Sequence, residues 1–379
     1  MVLLSLIAFA LPGYVMASDA GQPRTRHVCV DSAAEGVGTA GSEDGGLLYF
    51  QEFLSLPWTT YTSYLEAACV TCSVTAGAVY TRWGSSTCPG TSTLVHTGFM
   101  SASHYTQGAS STYLCLPMTP SYLTTQAGDQ GGGNLYKAEY EFSGYGVGRI
   151  QGVHDRDALC AVCTATGRRT AIMVPARVTC PDGWARDYFG YLVSQHYTQS
   201  RSSSICVDYN PEYRADSAGS EDGGLLYPIE MQTFPNGFNY TVNREVMCAQ
   251  CSNDAGPTYV RWGVRACPAP DFVVYMGWAG GSHYTQGGST TRLCMPDSQE
   301  NIPGIGQFGD ANQQGGYIYR GEYQTDSNAV PSLVWLHDEE VPCSVCQTRA
   351  PSVFVQIGSQ SCPFGAFSVG SERRQLKCE

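Results

Sequence analysis

Seventeen cysteines recur in a fixed order along the 379-residue chain, and this order constrains the fold more than any other sequence feature. Each CxxC pair is followed 16 or 17 residues later by a cysteine that precedes proline, and then by one further cysteine. The CxxC pairs are Cys69/Cys72, Cys160/Cys163, Cys248/Cys251 and Cys343/Cys346; the Cys-Pro column is Cys88, Cys180, Cys267 and Cys362; the last column is Cys115, Cys206 and Cys294, with Cys29 and Cys378 as outer members. Internal recurrence of this kind predicts a repeat of about 90 residues.

The cysteines are predicted to form disulfides. A CxxC pair is a common half of a zinc site, but each pair here is followed by a lone cysteine and not by a second CxxC. Two pairing schemes remain open. In the first scheme, each cysteine of the last column pairs with the first cysteine of the next CxxC, which leaves Cys378 alone. Each second CxxC cysteine then pairs with the next Cys-Pro cysteine, which gives Cys72–Cys88, Cys163–Cys180, Cys251–Cys267 and Cys346–Cys362. In the other, each Cys-Pro cysteine pairs with the following cysteine of the last column, which leaves Cys29 over.

A Gly-rich turn and an aromatic strand precede each CxxC, in the segments "GGLLYFQE", "GGGNLYKAE", "GGLLYPIE" and "GGYIYRGE". Glycine allows the positive φ of tight turns, and aromatic and branched residues favour strands. The chain has 43 glycines and 24 tyrosines but only 14% charged residues, a composition typical of many short strands joined by turns. We predict an all-β fold of tandem, disulfide-stapled, β-sandwich-like half-domains with little helix.

The first twenty residues, "MVLLSLIAFALPGYVMASDA", have an apolar core followed by small residues. This pattern predicts a secretory signal peptide cleaved near Ala17 or Ala20; the alternative is a buried first strand. No later segment reaches the ~18 apolar residues that a membrane span needs. Because disulfides persist in oxidising compartments, we expect a secreted, extracellular protein without a membrane span.

Two kinds of half-domain alternate along the chain. One opens with "TRWGSSTCP" (81–89) and "VRWGVRACP" (260–268), and the other opens with "VPARVTCPDGW" (174–184) and recurs incompletely as "VQIGSQSCPFG" (355–365). The predicted division is a signal peptide at 1–20, an N-terminal partial repeat at 21–79, a complete two-repeat β domain at 80–251, a third full repeat at 252–352 and a C-terminal partial repeat at 353–379.

The order of these motifs, continued by "HYTQ", "CLP" or "CMP", "GYL" and "CVD", resembles the non-collagenous domain of invertebrate short-chain collagens and of related secreted proteins. The resemblance covers nearly all of the chain after residue 20, but no Gly-X-Y tract is present, so a collagen triple helix is excluded. The resemblance implies an extracellular, matrix-type role and carries no reaction chemistry. We therefore do not expect an enzyme.

The resemblance also implies that one domain is divided between the two ends of the chain. A half-built β-domain exposes a strand edge and an apolar face. The C-terminal piece completes residues 29–72 either of its own chain, giving a permuted monomer, or of the next molecule. The second contact is head to tail and propagates into a filament unless it closes a ring. We favour a structural protein that self-assembles into an extracellular filament or matrix, with an interface that includes Cys362, Phe364, Phe367, Leu376, Val30, Leu47 and Tyr49.

Three histidines, His104, His196 and His283, recur in polar HYTQ-type turns. Catalysis requires a nucleophile or carboxylate partner beside each histidine, and the flanking Ser, Tyr, Thr and Gln residues show no triad pattern. We expect these histidines, as neutral imidazoles, to donate hydrogen bonds to backbone carbonyls within the turn. The alternative function for the protein is a monomeric, lectin-like binding module that contacts glycans through these loops.

Charged residues suggest a few further sites. A glutamate follows each aromatic strand, and we predict structural ion pairs of Arg82 and Arg261 with members of this column such as Glu139 and Glu322. The acidic turns at 41–46 and 220–224 are weak calcium candidates, and no other cofactor is expected. Asn239 lies in an N-glycosylation sequon. The net charge of −12 disfavours nucleic acid as a partner.

Overall fold

The computed structural model describes most of the chain. The described residues are 10–36, 46–56, 60–74, 77–143, 150, 152–217, 219–220, 222–232, 239–301, 314–325 and 330–363. Within them the regular structure consists of nineteen strands and one short 3-10 helix, Pro331–Leu336. The all-β prediction is confirmed. No helix in these ranges has the length and apolar content of a membrane span.

The strands fall into four groups with the same pairings, and we call each group a unit. A complete unit has five strands, which we name in chain order the short, long, Cys, Gly and CxxC strands. The Cys strand carries the cysteine of the last column, and the Gly strand begins at the glycine of the Gly-rich motif. The short and long strands flank the CxxC strand, and the long strand also pairs with the Cys strand and the Gly strand. The second unit has these five strands as β5 (Ala78–Trp83), β6 (Ser92–Ala102), β7 (Leu114–Pro117), β8 (Gly133–Tyr140) and β9 (Leu159–Ala165). The third unit has β10 (Thr170–Pro175), β11 (Ala185–Ser194), β12 (Ile205–Asp208), β13 (Gly224–Met231) and β14 (Met247–Asn253). The fourth has β15 (Thr258–Trp262), β16 (Phe272–Gly281), β17 (Leu293–Pro296), β18 (Gly316–Arg320) and β19 (Pro342–Gln347).

The first unit has four strands within the described residues. They are β1 (Ala10–Ala17), β2 (Val28–Asp31), β3 (Tyr49–Phe53) and β4 (Ala68–Cys72), which correspond to the long, Cys, Gly and CxxC strands. As in the other units, the long strand pairs antiparallel with the other three. The position of the short strand beside β4 is not filled by any described residue.

The predicted signal peptide at 1–20 does not fit this arrangement. Residues 10–17 form β1, where Val15 and Ala17 are buried, so cleavage near Ala17 or Ala20 would remove the long strand of the first unit. A Cβ at Gly13 would collide with the carbonyl oxygen of Val30, just as one at Gly98 would collide with that of Leu116. Residues 10–17 have the strand conformation of the alternative interpretation, and cleavage of a signal peptide stays a prediction.

Seven disulfides lie among the described residues, and all of them close within one unit. The Cys strand is joined to the first CxxC cysteine by Cys29–Cys69, Cys115–Cys160, Cys206–Cys248 and Cys294–Cys343, as the first pairing scheme predicts. The Cys-Pro cysteine is joined to the second CxxC cysteine of its own unit by Cys88–Cys163, Cys180–Cys251 and Cys267–Cys346. Both schemes were wrong for the Cys-Pro column, because the short strand before it pairs with the CxxC strand that comes later in the chain.

Adjacent units are joined through their Gly strands, which pair in parallel with the same register at each junction. Gln51 is opposite Gly133, Ala138 is opposite Gly224, and Ile229 is opposite Gly316. The repeated glutamates Glu52, Glu139, Glu230 and Glu322 give a common reference for this register. The residue immediately before the glutamate of one unit is opposite the glycine that lies six residues before the glutamate of the next unit. The Gly strands therefore pair with one repeated register along the row.

The apolar cores cross the borders between units. One core cluster combines Val15 and Phe53 of the first unit with Phe99 of the second. Another combines Tyr191 and Val207 of the third unit with residues of the second. Because each core is built from neighbouring units, a unit at either end of the row has one side that no described residue covers as a neighbouring unit would.

Candidate assembly interface

The two ends of the row expose apolar residues whose counterparts at the internal junctions are buried or half-buried. Leu48 of the first unit is 54% exposed, whereas Leu226, at the same position of the third unit, is fully buried against the second unit. We define the entry face as the exposed surface of the first unit that includes Val28, Asp31, Glu35, Leu47 and Leu48. We define the exit face as the surface of the fourth unit that includes Arg261, Trp262, Tyr284 and Glu322.

The repeated glutamate shows the same difference at the exit face. Glu52, Glu139 and Glu230 have no solvent-exposed surface, whereas Glu322 is exposed. In the first unit, the backbone N–H of Gln130, from the second unit, donates to Glu52 Oε1 at 3.0 Å. The following unit thus covers this carboxylate, and no described residue does so for Glu322.

The HYTQ-type turns also lie at the junctions. In the first two turns, the N–H of Tyr105 donates to the carbonyl of Gly223 at 3.0 Å, and that of Tyr197 donates to Gly315 at 3.2 Å. The Tyr197 ring stacks on Tyr317 of the fourth unit with ring centroids 4.5 Å apart. Tyr284, the equivalent residue on the exit face, is 83% exposed.

The predicted histidines have a structural role in these turns. Nδ1 of His104, His196 and His283 lies 2.8–2.9 Å from the hydroxyl of the threonine two residues later, and it accepts a hydrogen bond from that threonine's N–H. Burial lowers the pKa of His104 and His196, which favours the neutral imidazole that this acceptor role requires. The contacts of Nδ1 differ from the expected donation to backbone carbonyls, because this atom accepts from a backbone N–H and lies beside a threonine hydroxyl.

Two arginines that the sequence analysis missed hold these turns against neighbouring units. Arg24 Nε donates to the carbonyl of Gln107 at 2.9 Å, and its Nη2 donates to those of Ser103 and His104. Arg201 makes the same contacts with the turn of the fourth unit, donating to the carbonyls of Gln286, His283 and Tyr284. Both arginines lie five residues before the cysteine of a Cys strand, and this spacing was the available signal.

The predicted pairing of Arg82 with Glu139 was wrong. Arg82 donates from Nε and Nη2 to Asp208 of the next unit, both at 2.8 Å, because the short strand β5 runs beside the Cys strand β12. Glu139 instead pairs with Lys137, two residues earlier on the same face of β8, at 2.9 Å. Arg82 therefore bridges two units.

The corresponding residues of the fourth unit are not joined to each other either. Arg261 donates to the carbonyl of Ala266 at 2.9 Å, and the backbone of Glu322 forms an isolated antiparallel β-bridge with that of Glu340. Arg261 lies six residues before its Cys-Pro cysteine, as Arg82 does, and Asp31 lies two residues after its Cys-strand cysteine, as Asp208 does. The exit face and the entry face thus carry the two halves of this inter-unit ion pair.

A second carboxylate also connects units. Glu212, six residues after Cys206, accepts hydrogen bonds from the N–H and hydroxyl of Ser86 at 2.8 and 2.6 Å and from the hydroxyl of Ser85 at 3.1 Å. Glu300 does the same at the next junction, accepting from the N–H groups of Val178 and Thr179, both at 2.9 Å. Glu35 has the same spacing after Cys29 and is exposed on the entry face.

We predict that the contribution of Glu212 to stability depends on pH. Burial alone raises the pKa of Glu212, but hydrogen bonds from Ser86 and Ser85 outweigh it and bring the pKa below the ordinary 4.5. A depressed pKa contributes stability above about pH 4.5 that is lost as the pH falls through the folded-state pKa. Glu212→Gln should therefore lower the free energy of unfolding by about 1–2 kcal/mol at pH 7 and by much less at pH 3, measured by urea titration.

Glu339→Gln is the matched control, because the carboxylate of Glu339 is exposed. An equal effect of Glu212→Gln at both pH values would contradict the assignment of this carboxylate as a charged bridge.

The residues predicted at the interface have different positions. Leu47 is exposed on the entry face, Val30 and Tyr49 are half-buried on β2 and β3, and Cys362 is free and half-buried. Phe364, Phe367, Leu376 and Cys378 lie outside the described residues. The structure adds Leu48, Trp262, Tyr284 and Glu322, which could have been found by comparing each terminal motif with its internal copies.

The remaining site predictions are the calcium candidate turns and the glycosylation site. Residues 41–45 and Glu221 of the calcium candidate turns lie outside the described residues, and Asp222 is exposed. The side chains of Glu141, His154 and Asp155 lie within ligand distance of one another, but His154 contacts the two carboxylates directly at 3.5 and 3.4 Å. Asn239 is exposed, beside a backbone bridge to Ser298.

A scan of the chain against protein-family models finds no match.

Proposed function

We propose that this protein is an extracellular structural protein whose molecules assemble head to tail, with the exit face of one molecule against the entry face of the next. The observation that carries the proposal is the uniform register of the three internal junctions, together with the exposure at both ends of residues that those junctions bury. A fourth junction with the same register would have Gly321 opposite Gly46 of the next molecule. A contact that repeats without closing generates a filament.

The chemistry of the two faces is complementary at this step. Trp262, at the position of Trp83, would lie beside Val30 of the next molecule, as Trp83 lies beside Val207. Tyr284 would reach the loop before Leu47, and Arg261 would pair with Asp31. These contacts combine apolar burial with charge pairing, which gives both affinity and orientation.

An extracellular location is supported by the disulfides, which are typical of secreted proteins, and by the motif order shared with the non-collagenous domain of short-chain collagens. A matrix or fibre role is the consequence of that location and of self-assembly. Bound calcium, a glycan at Asn239 and contacts with other matrix components stay predictions.

The proposal is tested by examining the purified, oxidised full-length protein over a range of concentrations. We expect unbranched filaments in negative-stain electron micrographs above a critical concentration, with an axial repeat of one four-unit molecule. Light scattering should rise above the same concentration. Monomers at every concentration, or closed dimers alone, would contradict head-to-tail assembly.

A further inference from the structure

Two cysteines are free among the described residues, Cys72 and Cys362. Each is of a type that forms a disulfide with the other type in the complete units. In three units the Cys-Pro cysteine is bonded to the second CxxC cysteine of the same unit. Cys72 is the second CxxC cysteine of the first unit, which has no Cys-Pro residue of its own. Cys362 is a Cys-Pro residue, and residues 363–379 contain no CxxC pair. Together they make one complete pair of the same type.

The residues before Cys362 form no strand within their own molecule, but they contain the turn that follows a short strand in the complete units. We call residues 352–363 the tail segment. Gly358, four residues before Cys362, has φ of +78°, and Gly84 and Gly263, four residues before Cys88 and Cys267, have φ of +80° and +83°. A left-handed residue at this position turns the chain from the short strand toward the Cys-Pro loop. The tail segment therefore already has the turn that a short strand requires.

Three apolar side chains of the tail segment, Phe354, Val355 and Ile357, are exposed on the described part of their own molecule. Phe354 and Ile357 are 59% and 87% exposed, and the hydrogen bonds of Gln356, Ser359 and Ser361 join residues within the segment. Tyr80, which has the position of Phe354 in the second unit, is 6% exposed. Apolar side chains in this pattern are expected to be buried in a partner.

A vacant edge of matching type lies on β4. In the complete units, the residue eight positions before the Cys-Pro cysteine is opposite the second CxxC cysteine, as in Tyr80 with Cys163 and Tyr259 with Cys346. By this rule Phe354 would be opposite Cys72. The edge is exposed, since Val70 is 52% exposed and Ala161 at the same position of β9 is fully buried.

The length of the connection favours the next molecule over the same one. The spacing from the second CxxC cysteine to the following Cys-Pro cysteine is 17 residues at Cys163–Cys180 and 16 at both Cys251–Cys267 and Cys346–Cys362. The first two of these spacings carry the chain from one unit to the adjacent unit. The third would therefore carry it to the unit that lies against the exit face, which is the first unit of another copy.

We propose, on the basis of the head-to-tail assembly above, that the tail segment of each molecule adds to β4 of the next as the fifth strand of its first unit, and that Cys362 forms a disulfide with Cys72 of that copy. Bond formation requires a disulfide oxidant, such as oxidised glutathione. Exchange converts two protein thiols and one small-molecule disulfide into one protein disulfide and two small-molecule thiols. Each molecule then forms one such bond at each end.

Complementary cysteine variants test this bond. In a Cys378→Ser background, which removes the one cysteine that lies outside the described residues, the otherwise unchanged protein should give a ladder of covalent oligomers on non-reducing gels. Cys72→Ser and Cys362→Ser should each abolish species longer than a dimer. An equimolar mixture of the two, one of them labelled with nitrogen-15, should give a covalent dimer and no longer species. Mass spectrometry should find the peptide containing Cys362 of the Cys72→Ser chain linked to the peptide containing Cys72 of the other.

The outcomes separate this inference from the proposed function. Filaments in micrographs without the Cys72–Cys362 peptide would overturn the covalent bond and leave head-to-tail assembly intact. A Cys72–Cys362 bond within monomers would overturn the bond between molecules. Absence of filaments from every variant, with no ladder, would overturn both. A ladder that persists in Cys72→Ser would show that other cysteines make the link.

Discussion

A chain that ends at Pro351 is expected to fold normally and to remain monomeric at concentrations at which the full chain forms filaments. The deletion removes the tail segment and keeps β19, whose following residue Thr348 donates its N–H to the carbonyl of Pro257 at 3.0 Å. It abolishes burial of Phe354, Val355 and Ile357 in the next molecule. Because burial of such side chains contributes about 1.5–3 kcal/mol each, we expect the critical concentration to rise at least about 100-fold. Sedimentation velocity across a concentration series measures this change.

A peptide of residues 352–363 provides the matched experiment in trans. It should bind β4 of the truncated chain and, added in excess to the full chain, shorten its filaments by occupying the vacant edge. A peptide with the same composition in scrambled order serves as control. Filaments of the truncated chain at the same concentration as the full chain would show that the tail segment is not part of the joint.

Leu48→Arg is expected to prevent assembly without unfolding the protein. Leu48 is exposed in the single molecule, so a charge there is solvated, but docking would bury that charge as Leu226 is buried at the internal junction. An unpaired buried charge destabilises by about 3–5 kcal/mol, which corresponds to a rise in critical concentration of at least about 100-fold. The melting temperature of the variant should change by less than a few degrees, measured by circular dichroism.

Two further arginine substitutions separate surface charge from docking. Val95→Arg changes a similarly exposed residue on β6 away from both faces and should leave assembly unchanged. Leu226→Arg introduces the same charge at the internal counterpart and should destabilise folding itself. If Leu48→Arg forms filaments as readily as Val95→Arg, the entry face has been assigned incorrectly.

The cysteine columns and Gly-rich motifs were sufficient to predict the all-β class, but not the pairing of the Cys-Pro cysteines. Cys72 and Cys115 are the nearest cysteines on either side of Cys88 in the sequence, whereas its bonding partner, Cys163, lies 75 residues away. That partner is determined by β5 and β6 both pairing with β9. Long-range strand pairing of this kind is not encoded in local spacing.

The first strand was only the alternative interpretation of its segment, for a different reason. The segment "GYVMAS" at 13–18 corresponds to "GFMSAS" at 98–103 and "GYLVSQ" at 190–195, but its apolar residues also match the core of a signal peptide. Hydrophobicity alone does not distinguish the two. The glycine column does, because Gly13, like Gly98 and Gly190, must lie against the backbone of the adjacent Cys strand.

The sequence pointed to the ends of the chain as the candidate assembly interface, but it did not identify most residues of that interface. Cys362 and Leu47 belong to motifs that are visibly incomplete, so the sequence indicated them directly. Trp262, Tyr284 and Glu322 belong to a repeat that reads as complete, and only their exposure relative to Trp83, Tyr197 and Glu230 distinguishes them. Exposure depends on which unit packs against a surface in three dimensions, and a local sequence motif does not contain that information.

The closure of every disulfide within a single unit has a mechanical consequence. Tension along the fibre would not stretch the interior of a unit, since each is cross-linked internally, and the load would pass through the short segments between units. With Cys362 bonded to Cys72, the segment between two molecules would be the same length and would end in the same type of cross-link as those inside one. The fibre would then have no weakest joint, and its tensile strength would be independent of the number of molecules in it.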